Sequence, residues 1–221
     1  MDVVPEYETE RLPFLLSFEE IAAFKDTYAG EIGRVALHAQ LLRPVGRPSR
    51  TVAVFMHPTG GGAWLPMIGA LAKAGVHTVW CDSRYKGSDA ALIMEKVVVD
   101  LGNCVKELKG RHGYEKVVLG GWSGGGSLSL FFQAEAERPT LCSTPAGDPP
   151  DLRLQQLVPA DGITPSHTHQ LFDAIGHGDK ELHWIQDANH YYFGQPEKSA
   201  ESARLCVDWM RRKGLLEEES L

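Results

Sequence analysis

The stretch Lys116–Gly125, KVVLGGWSGG, decides how this chain folds. Its first half is a short β-branched run, as expected of a strand covered on both faces. Glycines then bracket Trp122 and Ser123 in the spacing G-x-S-x-G, and Ser127–Glu137 reads as a helix ended by Pro139. The predicted order is therefore strand, cramped turn, helix. In so tight a turn a Cβ at position 121 or 125 would collide with the strand or the helix, which explains glycine there. Ser123 then sits strained and exposed, its hydroxyl over the carboxyl edge of a sheet. The Gly124 N–H, at the helix N-terminus, faces any negative charge that develops beside that hydroxyl. A phosphate-binding turn is the competing reading. It lacks the Lys-Ser/Thr of a P-loop, and the spacing misses G-x-G-x-x-G.

Outward from this turn the same alternation continues. Arg34–Leu42 alternates as a half-exposed strand would, and Thr51–Met56 reads as a buried one. HPTGGGAW (57–64) is a Gly-rich loop leading into a helix over Leu65–Lys73, closed by Gly75. Val76–Cys81 is a further buried strand, followed by an amphipathic segment over Ala90–Leu108. Near the end, Glu181–Ile185 reads as a strand and Glu197–Lys213 as a closing helix. Strand and helix in turn imply parallel βαβ units: an α/β sandwich around a doubly wound, mostly parallel sheet. One domain over 1–221 is expected, with 1–33 as an N-terminal extension.

Composition narrows the function classes. With 221 residues, 43% of them hydrophobic, the chain can bury a substantial core. A net charge of −7 without a Lys/Arg stripe argues against nucleic acid and anionic membranes as partners; RPVGRPSR (43–50) reads as a solvated turn. No run reaches the length of a membrane span, and the start, MDVVPEYETERLPFLL, lacks the basic region of a signal peptide. Cys81, Cys104, Cys142 and Cys206 are scattered, as free thiols in a reducing cytoplasm would be, with neither a metal nor a disulfide framework expected.

Four pieces, in this order, resemble the α/β-hydrolase family. They are HPTGGG (57–62) after one strand, DSRYKG (82–87) after the next, GWSGG (121–125), and Asn189-His190 near the end, together spanning roughly residues 34–213. The resemblance implies a Ser–acid–His triad. Ser123 would be the nucleophile, and His190, after the last predicted strand, the base. The second oxyanion donor beside Gly124 would come from the 57–62 loop. Pro58 has no N–H, which leaves Thr59 or Gly60, and Thr59 is preferred. His57 is expected to order that loop by hydrogen bonding, without transferring protons. The 82–89 stretch is expected to be scaffold. His167 and His169 lack companion ligands for a metal, and His38, His77, His112, His177 and His183 read as ordinary surface or strand residues, so no metal or organic cofactor is called for. For the acid, Asp161 fits a D-x-x-x-P turn (161–165). Asp148 and Asp151 are the alternatives, while Asp173 and Asp187 look structurally plain.

The chain departs from that family between nucleophile and acid. Only 38 positions separate Ser123 from Asp161, where the family places a helix, a strand, a crossover and another strand. Thr140–Ser143 is the candidate strand, Leu152–Val158 is either a strand or a helical turn, and 145–165 reads as a shortened cap and crossover. A minimal sheet, a rearranged edge, or a fold that needs a partner chain would each satisfy this. An edge left unpaired would invite a homodimer. The expected function is a serine hydrolase that cleaves an ester or related small acyl substrate through an acyl-enzyme, with Trp64, Trp122 and Tyr191 as candidate acyl-pocket walls. The alternative is a catalytically silent binding module with an incomplete triad.

Overall fold

The computed structural model describes residues 7–15, 36–87, 92–136, 155–157, 165–176 and 178–216. Within them the strands are β1 (Tyr7–Leu15), β2 (Ala36–Pro44), β3 (Thr51–His57), β4 (Thr78–Asp82), β5 (Lys116–Gly120) and β6 (Gln155–Leu157). The helices are α1 (Pro66–Lys73), α2 (Met94–Gly110), α3 (Gly124–Ala136), α4 (Pro165–Ala174) and α5 (Pro196–Arg212). No described helix is long and apolar enough to cross a membrane.

The continuous apolar runs are strands because helices cover both their faces. Successive strand residues point to opposite sides, so one strand feeds two cores. Val52, Val54 and Met56 join Val79, Cys81, Val117 and Leu119 under Val97 and Leu101 of α2 and Leu128 and Phe132 of α3. Ala53, Phe55, Trp80 and Val118 pack on the other side, against Met67, Ile68 and Leu71 of α1 and Val207 and Met210 of α5. Each large side chain withdrawn from water here contributes about 1.5–3 kcal/mol.

The sheet runs in the order β1-β2-β4-β3-β5-β6. β3 pairs in parallel with β4 and β5, and β5 with β6. β2 pairs antiparallel with both β1 and β4. From β3 the chain leaves through α1 on one face, and from β5 through α3 on the other. Adjacent strands whose connections diverge open a crevice at their carboxyl ends, the usual ligand position in such sheets. HPTGGG and GWSGG are the two loops that border it.

Four features differ from the sequence reading. Tyr7–Leu15, within the expected extension, is an edge strand whose Leu12 and Phe14 are buried in the core. Pro13 between them obscures the pattern, yet an edge strand tolerates a proline. α3 begins at Gly124, three residues before the expected start, because the turn itself becomes the first helical residues. Residues 155–157, within the ambiguous Leu152–Val158, form strand β6. Glu181–Ile185 is not a strand. A strand exists only where a neighbouring backbone offers donors and acceptors, and among the described residues the sheet ends at β6. Glu181 is tied instead to Arg212 of α5 at 2.6 Å. The candidate strand Thr140–Ser143 lies outside the described residues.

Candidate active site

Ser123 has φ 49°, the left-handed region that a non-glycine residue rarely adopts. It is exposed and directly precedes α3. The glycines around it make the bend sterically feasible. A Cβ on Gly121 would lie 2.3 Å from the Gly125 carbonyl oxygen, and one on Gly125 would lie 2.3 Å from that of Met56 in β3. The backbone thus packs against itself and against the neighbouring strand, closer than any side chain permits. In the first turn the N–H groups of Gly125 and Gly126 donate to the carbonyls of Trp122 and Ser123. Among the described backbone bonds the Gly124 N–H has no acceptor, as the first amide of a helix is free to have none.

The loop after β3 closes the other side of this turn. His57 is its pivot: Nδ1 accepts the N–H of Thr59 at 3.2 Å and that of Gly60 at 2.8 Å. The expected loop-ordering role of this imidazole is visible in these two bonds. Thr59, the expected second oxyanion donor, therefore has its N–H engaged by the His57 ring. The next loop steadies this one from outside. Ser83 Oγ donates to the Pro58 carbonyl, and the Gly87 N–H donates to that of Thr59. Arg84 is held in turn by the fully buried Asp100, at 2.7 Å, with a backbone N–H bond to the same carboxylate. Burial raises the Asp100 pKa, against the pull of the Arg84 guanidinium. The 82–87 stretch is scaffold of this kind in the structure.

His190 arrives at the same end of the sheet. Its ring stands edge-on to Trp122, centroids 6.2 Å apart, and Tyr192 meets the same indole at 5.4 Å. The residue preceding Ser123 is thus packed between the candidate base and its own loop. Partial burial holds the His190 pKa below the ordinary 6.5, so the neutral ring is favoured. His57 is lowered too, first by burial and then by the charge of nearby His190.

Among the described residues the loop of the candidate base has no ladder to hold it, and two amide side chains take that part. Asn189 Oδ1 accepts the N–H groups of Tyr191 and Phe193, at 3.2 and 3.1 Å, while its Nδ2 donates to the Phe193 carbonyl at 2.9 Å. Gln195 Oε1 accepts the Asn189 N–H and its Nε2 donates to the Asp187 carbonyl, both at 2.7 Å. Asp187 and Tyr192 take positive φ in this loop, as does Gly194. Sequence reasoning overlooked Asn189 and Gln195 as positioning residues. The available signal was an Asn beside a Gly-ended turn, where such side chains commonly bond nearby backbone.

Beside His190 lies an aromatic ledge. Tyr191 touches its ring at 4.3 Å, and Trp64 and Phe193 stack nearly parallel at 5.5 Å. Trp64 is 62% exposed and Phe193 51%. Trp122, in contrast, is buried and structural. Of the expected site residues, Ser123, Gly124, Thr59 and His190 gather at the carboxyl ends of β3 and β5. Asp161 lies outside the described residues, as do Asp148 and Asp151.

Solved structures of similar shape carry the same architecture. The chain aligns with an α/β serine hydrolase without a lid from Xanthomonas campestris at a TM-score of 0.60 and 20% identity, covering 93% of this chain and 97% of that one. A dienelactone hydrolase from Anabaena variabilis aligns at 0.59 and 18%, covering 95% and 99%. An α/β serine hydrolase homologue from Coxiella burnetii aligns at 0.57 and 18%, covering 88% and 96%. No protein-family model and no curated protein matches the sequence. At these identities the likeness establishes the fold alone: this is an α/β-hydrolase fold.

Proposed function

We propose that the protein is a serine hydrolase acting on an ester or related small acyl substrate through an acyl-enzyme. Ser123 Oγ attacks the acyl carbon, and neutral His190 takes its proton and returns it to the leaving group. The Gly124 N–H and a second donor from residues 57–62 hold the oxyanion. Asp161 fills the acid's role of fixing the His190 tautomer and stabilising the imidazolium. The observation that supports this reading best is the left-handed serine at a helix N-terminus, with an imidazole resting on the residue before it. Strain of about 1–3 kcal/mol at a non-glycine residue persists only where the surroundings enforce it, and such positions gather at reactive sites.

The test is covalent labelling by a fluorophosphonate probe together with hydrolysis of p-nitrophenyl acetate. Labelling at Ser123 and loss of both signals in Ser123→Ala are expected. Equal hydrolysis by Ser123→Ala would refute the proposal, and a folded native protein that neither takes the probe at Ser123 nor hydrolyses the ester would favour the silent binding module. A reducing, cytoplasmic setting belongs to the proposal, supported by Cys81, Cys104 and Cys206 standing unbridged. So does self-association through the β6 edge of the sheet. A monomer mass by light scattering at micromolar concentration would end that part.

A further inference from the structure

The Thr59 N–H is taken up by His57, so the second oxyanion donor has to be found elsewhere around Ser123. The His57 ring lies between the two loops that border the crevice. Its Nδ1 accepts two backbone N–H bonds, from Thr59 and Gly60, and therefore bears a lone pair. A neutral imidazole with an unprotonated Nδ1 carries its proton on Nε2. That nitrogen is the ring atom nearest the elbow: a Cβ on Gly124 would lie 3.0 Å from it, against 3.6 Å from either adjacent carbon. An N–H donor thus stands beside the residue whose own amide is unclaimed in the backbone network. Both donors lie at Gly124, and an oxygen within hydrogen-bonding distance of each would accept from both.

Resting on the serine-hydrolase reading, we infer that His57 is a catalytic residue, its Nε2–H serving with the Gly124 N–H as the oxyanion hole. In this arrangement Thr59 and Gly60 act through His57. Their amides fix the ring's orientation and tautomer, and the ring presents the donor. The role differs from that of His190. One ring must gain a proton during the reaction, whereas the other must keep the one it has and never become charged. Burial and the adjacent His190 both disfavour protonation of His57, consistent with a fixed neutral donor.

Two substitutions separate this role from loop ordering. His57→Asn places an amide oxygen near the position of Nδ1, retaining an acceptor for the loop while removing the Nε2 donor. His57→Gln places an amide N–H near the position of Nε2, retaining the donor. With p-nitrophenyl acetate, His57→Asn should lose about 10²–10³-fold in kcat with little change in KM, the loss typical of one oxyanion donor. His57→Gln should recover at least about tenfold of that. A His57→Asn enzyme with unchanged kcat, or one more active than His57→Gln, overturns the inference while leaving the Ser123 reading intact. If Ser123→Ala hydrolyses as well as the native protein, the serine-hydrolase reading fails first and this inference falls with it. A measurement on the native chain needs no variant to fold. In ¹⁵N-histidine NMR the His57 Nε2–H proton should shift downfield when Ser123 is phosphonylated, and a resonance that does not move overturns the inference.

Discussion

The segment from β3 to α3 and the segment from β6 to α5 each deliver one candidate catalytic side chain, by opposite means. Ser123 sits on a turn wedged between β5 and α3, with β3 pressed against its glycines and both faces of the sheet covered. His190 sits on a loop without a strand before it, held by Asn189, by Gln195 and by the packing of Tyr192 on Trp122. A nucleophile fixed by a sheet is rigid because its backbone has nowhere else to go. A base fixed by two amides is only as rigid as a handful of hydrogen bonds, each worth about 0.5–1.5 kcal/mol net. The difference teaches that a candidate catalytic side chain can be held by a loop that closes on itself as well as by a turn built into a sheet.

That contrast can be broken from either side. Gly125→Ala should have the largest effect: its methyl would meet the Met56 carbonyl at 2.3 Å, backbone that cannot step aside. We expect destabilisation of about 3 kcal/mol or more and loss of probe labelling, read by urea titration and mass spectrometry. Asn189→Ala should leave the fold nearly intact and loosen only the base loop. A drop of about 10²-fold in kcat is expected, the scale of an ångström's misplacement, with the unfolding midpoint shifted far less. A variant with wild-type kcat would show that the clamp is dispensable.

The pH profile sharpens the comparison next. His190, His57 and His77 all have pKa values lowered from 6.5, burial being the first cause of each. The folded state therefore binds fewer protons than the unfolded chain as pH falls below 6.5. Stability should be insensitive to these groups above 6.5 and should decline as pH drops from there through the folded values. kcat/KM should fall about tenfold per unit only once pH passes below the folded His190 value, measured with a buffer-matched ester assay. An acid limb centred above 6.5 would remove His190 as the base. The smallest effect belongs to the strained serine itself. Ser123→Gly should be about 1 kcal/mol more stable than Ser123→Ala while equally inactive, since glycine adopts φ 49° without the side chain's steric cost.

The elbow was legible because its constraints are local. Three β-branched or aliphatic residues, two glycines and a helix-forming run specify a turn that few other residues could make. The Nδ1 bonds of His57 fit its expected place as a loop-ordering residue, but its nearness to Gly124 could not be read from residues 67 positions away. β1 was missed because Pro13 masks a five-residue alternation, Arg11–Leu15, that becomes meaningful only beside β2. Glu181–Ile185 misled for the converse reason, alternating like a strand with no neighbour to pair with among the described residues.

By itself, then, the sequence determined the α/β class, the order of the elements from β2 to α3 and the identity of the cramped turn at Ser123, all of which follow from side-chain periodicity and steric exclusion within about ten residues. Only the tertiary structure decided that the sheet also takes in Tyr7–Leu15, that the loop of His190 is held by amide side chains in place of a strand, and that the His57 ring occupies the amide of Thr59. Those outcomes depend on which backbone groups find partners across the fold, and hydrogen-bonding partners are assigned in space, without any mark on the linear chain.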